Sequence, residues 1–149
     1  MVDAEPFSYR TWPFYWLARV TGRYRARMEE QLRPHGLDMP RWRVLMTLHQ
    51  DRVASVSEIA EHSSAKLPTM TRIVQRMEAD GLVQRQPRAG NDRIMEVILT
   101  PAGEVAGNHA WAAADDLYHR AFAKLSDREV ATLTQLLEKV AENLKEGSE

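Results

Sequence analysis

The chain has 149 residues, 44% hydrophobic and 28% charged, with 20 Lys and Arg against 21 Asp and Glu for a formal charge of −1. That length fits one globular domain spanning 1–149, and the absence of cysteine excludes disulfide scaffolds, thiolate nucleophiles, cysteine-ligated zinc and thiol redox sensing. Taken whole, a charge near zero argues against a nucleic-acid binder.

The chain begins Met1-Val2-Asp3-Ala4-Glu5-Pro6, acidic and without the apolar run of a secretory signal. No stretch approaches the ~18 apolar residues of a membrane span. A cytoplasmic location without membrane contact is expected. From Thr11 to Leu32, Phe14, Leu17, Tyr24, Met28 and Leu32 recur at helical spacing, and Pro34-His35-Gly36 should stop that helix. Asp38 is a good N-cap for a second helix, with Pro40 in its first turn, Trp42, Leu45, Met46 and His49 on one face, and an end near Gln50-Asp51. Val53 to Val56 allows only a bridge or a tiny strand. Ser57 should then begin a short helix with Ile59 and Ala60 inward, interrupted by Ser63-Ser64.

Pro68 fits the first turn of a new helix and not the interior of an old one, because it lacks the amide hydrogen and clashes with the preceding turn. Met70, Ile73, Val74 and Met77 then share one face, with Thr71, Arg72, Gln75 and Arg76 largely on the other, up to a cap at Gly81. Beyond it the period changes from helix to strand. Leu82 to Arg85 leads into the turn formers Pro87 to Asp92, and Ile94 to Leu99 leads out, which predicts a β-hairpin. Thr100-Pro101 should cap a long helix through roughly Ala123, and Ser126-Asp127-Arg128-Glu129 is a capping box for a last one.

This order predicts a mainly α fold with a small β-hairpin wing: a winged helix-turn-helix over 36–100, flanked by helices over 10–35 and 101–146. In that module the second helix of the pair enters the major groove and the hairpin reaches the neighbouring backbone or minor groove. Arg72 and Arg76 can donate to phosphate or guanine, Gln75 can pair with adenine, and the hydroxyls of Thr69 and Thr71 can reach phosphate. Arg85, Arg88 and Arg93 bracket a Gly-Asn tip with little apolar surface to bury, which leaves them available to an anion. The charge, divided by segment, agrees: residues 10–52 carry +5 and 66–100 carry +2, whereas 101–149 carry −4.

With these residues in place, the sequence resembles the MarR family of bacterial transcriptional regulators over about residues 10 to 145. The resemblance rests on Val56 to Ala60, Pro68 to Glu78, Asp80-Gly81-Leu82-Val83, Val97 to Gly103, and Arg41 to Leu45. It implies a homodimer in which the first and last helices interlock, two recognition helices about one DNA turn apart, and a pseudo-palindromic operator on double-stranded DNA. Phe14 and Leu17 on the first helix, and Leu133, Leu137, Val140 and Leu144 on the last, are the candidate dimer contacts. A stripe on the last helix is intramolecular core or interface, but a helix ending a small chain has little left to pack on.

One position departs from the family pattern. Asn91 stands where the wing usually has an aspartate, with Asp92 one step later and Arg93 in place, so the carboxylate that usually holds the wing is replaced or shifted. The resemblance further implies a ligand-responsive repressor whose effector is small and aromatic or anionic, with Trp16, His35 and Arg43 as candidate aromatic wall, polar handle and cation. Each of the three also has a plain structural role open to it.

The alternatives are a dimeric adaptor that has lost DNA binding, and an enzyme. No phosphate-cradling glycine loop, zinc-protease motif or nucleophile elbow supports an enzyme. No cofactor is expected, and His35, His49, His62, His109 and His119 show no metal-ligand spacing. Asp115 and His119 are i and i+4 on a helix, which a solvated pair explains.

Overall fold

A computed structural model describes residues 8–145, so the last residue of the helical segment expected over 101–146 lies outside the described residues. The described residues contain six α-helices and three strands: α1 (Pro13–Leu32), α2 (Met39–Asp51), β1 (Val53–Ser55), α3 (Val56–His62), α4 (Leu67–Ala79), β2 (Val83–Arg88), β3 (Asn91–Leu99), α5 (Pro101–Ala121) and α6 (Asp127–Asn143). The chain divides into two compact units, up to Ala114 and from Asp115 onward. No helix among the described residues is long and apolar enough to cross a membrane.

Local chemistry sets most helix ends. Asp38 accepts the Arg41 amide at 2.9 Å and caps α2, with Pro40 in the first turn where its missing N–H costs nothing. Ser126 and Glu129 form the expected reciprocal capping box on α6. Thr100 accepts the Gly103 amide at 3.1 Å at the start of α5. The first helix starts at Pro13 rather than Thr11, after a 3-10 turn over Tyr9–Thr11, because proline suits the first helical position. The start of α3 also differs from expectation. Ser55, not Ser57, is its cap: the Ser55 hydroxyl accepts the Glu58 amide while Glu58 accepts the Ser55 amide.

Three antiparallel strands form a sheet in the order β1-β3-β2. The expected tiny strand exists because β3 supplies its partner, with Ala54 opposite Val97. Pairing also consumes the turn formers: Arg88 stands opposite Asn91, so only Ala89 and Gly90 remain as the turn, and Gly90 takes φ +82°, a value a β-carbon disfavours.

The core of the first unit gathers Met28 and Leu32 of α1, Leu45 and Leu48 of α2, Ile59 of α3, Met70, Val74 and Met77 of α4, and Val97 of β3, all fully buried or nearly so. Burial of that α4 face holds the helix as a fixed rod with its polar face outward. Where the chain leaves α4 and β3, Thr100 donates its hydroxyl to the Gly81 carbonyl at 2.5 Å and its amide to the Leu82 carbonyl at 3.1 Å. Gly103 sits so close that a β-carbon would clash with the Leu82 carbonyl oxygen. In the second unit, α6 buries none of its residues.

Candidate nucleic-acid interface

The turn between α3 and α4 is tight. Ser64 takes φ +50° and the Ala65 amide bonds back to the Ala60 carbonyl at 2.9 Å, aiming α4 away from α3. With Met70, Val74 and Met77 inward, Thr69, Arg72, Gln75 and Arg76 are all exposed. Neither Arg72 nor Arg76 has an ion-pair partner among the described residues. Thr71 is different: its hydroxyl donates to the Leu67 carbonyl at 2.8 Å, within the helix. The proton expected to reach a phosphate is therefore already committed.

Three arginines around α4 are paired with carboxylates. Arg41 donates to Asp38 at 2.8 Å and to Asp80 at 3.3 Å, tying the start of α2 to the end of α4. In the wing, Arg85 donates twice to Glu78, from Nε at 3.1 Å and Nη2 at 2.9 Å, while its amide donates to the other Glu78 oxygen. Arg88 donates to Glu96 at 2.6 Å and to Glu58 at 3.3 Å. The sequence left Arg85 and Arg88 available to an anion; in the fold each is paired, because carboxylates are delivered to both. Arg93 remains exposed with no ion-pair partner among the described residues. Its amide bonds to the Asn91 side-chain oxygen at 3.2 Å. Asn91 thus still supplies an acceptor at the position where the carboxylate was expected.

These contacts tune the carboxylates. The Arg85 guanidinium and amide hold Glu78 below the ordinary glutamate value of 4.5. The Ser55 amide, aided by Arg88, does the same for Glu58. The hydrogen bonds that Arg88 donates to Glu96 and then to Glu58 raise the pKa of its guanidinium further. The sequence reading nominated the wing's cations and missed Glu58, Glu78 and Glu96, whose spacings from their arginines match no helical pair.

The three candidate effector contacts have different surroundings. Arg43 lines a groove of roughly 320 Å³ with Tyr24, Trp42 and Met46. Trp16 commits its indole N–H to the Arg10 carbonyl at 2.8 Å, and His35 stacks on His109 at 4.8 Å. Among the candidate dimer contacts, Phe14 is 47% exposed and Leu17 half-buried on α1. On α6, Leu133, Leu137 and Val140 are each exposed by close to two-fifths, and Leu144 beyond it by 66%. Asp115 and His119 form an exposed i, i+4 pair.

The profile of the MarR family matches residues 37–95, from the loop before α2 into β3. Over 142 residues the chain is 41% identical to the HTH-type transcriptional repressor IacR of Pseudomonas putida, a match covering 95% of this chain and 85% of that protein. The chain belongs to the MarR family. It is a transcriptional repressor of winged-helix fold, and the family and its relatives are regulators rather than enzymes. A mutant MarR of Escherichia coli complexed with operator DNA superposes with a TM-score of 0.75 at 26% identity, over 89% of this chain and 96% of that one. Bordetella bronchiseptica BpsR, in a structure addressing regulation of its DNA binding by 6-hydroxynicotinic acid, matches with a TM-score of 0.80 at 20% identity, over 91% and 97%. At that identity the second likeness is one of fold.

Proposed function

We propose that this MarR-family protein acts as a homodimer on a pseudo-palindromic operator, with α4 in the major groove and Arg93 of the wing on the flanking backbone. One observation carries the reading: Arg72 and Arg76, on the outward face of α4, have no ion-pair partner among the described residues, while Arg41, Arg85 and Arg88 around it are paired. Unpaired guanidinium groups beside Gln75 and Thr69, on a helix fixed by its buried face, suit base edges and phosphates. The likeness to Escherichia coli MarR, solved in complex with operator DNA, supports DNA binding by this fold.

Dimerisation is supported by an apolar row on α6 with no buried member, together with Phe14 and Leu17 on α1. The effector, by extension from the ligand named for BpsR, is a small aromatic anion for which Arg43, lining one groove with Tyr24 and Trp42, supplies a cation. Genomic selection for bound DNA tests the central reading, with the expected outcome a twofold-related sequence next to the regulated gene. Recovery of no intergenic fragment at low salt would overturn it in favour of an adaptor. Sedimentation checks the dimer, with Leu137→Asp expected to yield monomer.

A further inference from the structure

The register of the wing breaks between Pro87 and Arg88. Pro87 stands opposite Met95, whereas Arg88 stands opposite Asn91. Proline has no N–H to give a neighbouring strand, so the ladder lacks a donor at the break. The side chain of Arg88 spans it. Its backbone belongs to the tip, yet its Nε donates at 2.6 Å to Glu96, which stands opposite Gln86 on the base side. Its Nη2 reaches Glu58 at the start of α3 at 3.3 Å. Glu58 is itself fixed, because its other oxygen accepts the Ser55 amide, and Ser55 stands opposite Glu96 across β1 and β3. One guanidinium therefore joins the tip, the central strand and α3.

We propose that Arg88 is a positioning residue, a strut that holds the wing tip and Arg93 at a set angle to α4 and acts on DNA through Arg93 rather than by touching a phosphate. The proposal rests on the reading of the chain as an operator-binding repressor. Charge points the same way: one guanidinium between two carboxylates leaves a net negative cluster, which repels phosphate. If Arg88 turned to DNA it would strand the Glu96 carboxylate, only 17% exposed, without its cation. Arg93, by contrast, is exposed, its amide is held by Asn91, and its guanidinium has no ion-pair partner among the described residues.

The test uses the full chain and an operator fragment from the genomic selection, with affinity measured across a salt series for Arg93→Ala, Arg88→Ala and the double variant. A strut predicts that each single change weakens binding about tenfold and lowers the salt slope by about 1, as for one lost phosphate contact. The double variant should then be no more than about twofold weaker than Arg93→Ala, because both act through one contact. Multiplied losses with a slope lowered by about 2 overturn the proposal, since that is the signature of two independent phosphate contacts.

Glu96→Gln supplies a second arm that spares the guanidinium. It removes a negative charge beside DNA, so a phosphate-binding Arg88 would then bind tighter, whereas a loosened strut binds weaker. Unchanged or tighter binding sinks the idea. A third arm needs no DNA: amide hydrogen exchange at Asp92 and Arg93 should be faster in Arg88→Ala and in Glu96→Gln than in the unaltered protein, and equal rates refute the strut. An unaltered protein that binds no DNA would instead defeat the repressor reading and leave exchange to judge the strut.

Discussion

Helix α4 and the wing both carry arginines in sequence, but the two part company in the fold. On α4, Arg72 and Arg76 keep no carboxylate partner among the described residues. In the wing, Arg85 is held by Glu78 and Arg88 by Glu96 and Glu58, which leaves Arg93 at the tip. The difference follows from what each element faces. Helix α4 turns its apolar side inward and projects its polar side alone, whereas a hairpin at a sheet edge lies within reach of carboxylates on α3, α4 and β3. The number of arginines in a segment therefore overstates the cations it can offer a polyanion.

The largest expected effect strikes both regions at once. Gly103→Ala places a β-carbon against the Leu82 carbonyl, a backbone atom that cannot swing aside, at the junction where the chain leaves both α4 and the wing. It should destabilise the protein by about 3 kcal/mol or more, at the upper end of overpacking effects. Thermal or urea unfolding measures it, and a native-like melting temperature would contradict the close approach.

Next in size, Arg72→Ala should cost ~1–3 kcal/mol of operator affinity if it reads a base, confined to one base-pair position. Arg85→Ala removes a cation of the same charge from the wing, yet should leave the salt slope of binding unchanged because Glu78 already neutralises it. A slope falling by about 1 for Arg85→Ala would erase the contrast between the regions.

Acid sharpens the same contrast. Glu78 and Glu58 are held below the ordinary glutamate value, so their contribution to stability is present above about pH 4.5 and is lost as pH falls through their depressed folded values. The wing base should loosen first on acidification, followed by amide exchange across β2. Glu78→Gln should remove part of the acid-linked loss and cost within about 1 kcal/mol near neutrality, as for partly exposed pairs. The smallest effect lies within α4. Thr71→Val should change operator affinity by no more than about twofold, since the hydroxyl proton already serves the Leu67 carbonyl, while Thr69→Val should weaken it more.

Much of the fold was legible because its signals act within one or two turns. Asp38 with Pro40, Ser126 with Glu129, and the period of Met70, Val74 and Met77 all announce themselves over spans of two to seven residues. The misplaced start of α3 and the oversized turn share one cause. Ser55 both ends β1 and caps α3, and Arg88 to Asn91 closes the hairpin, only because β3 pairs on both sides. Of the candidate site, the α4 face was readable from period and polarity. The wing was not, because the carboxylates that occupy Arg85 and Arg88 lie 7, 8 and 30 residues away.

By itself, then, the sequence determined most of the helix caps, which side of α4 is buried, and that cysteine chemistry plays no part. Only the tertiary structure decided which cations are free. Capping and periodicity depend on neighbours along one element, whereas an ion pair depends on which carboxylate the folded chain brings within about 4 Å, and strand pairing and helix packing set that distance.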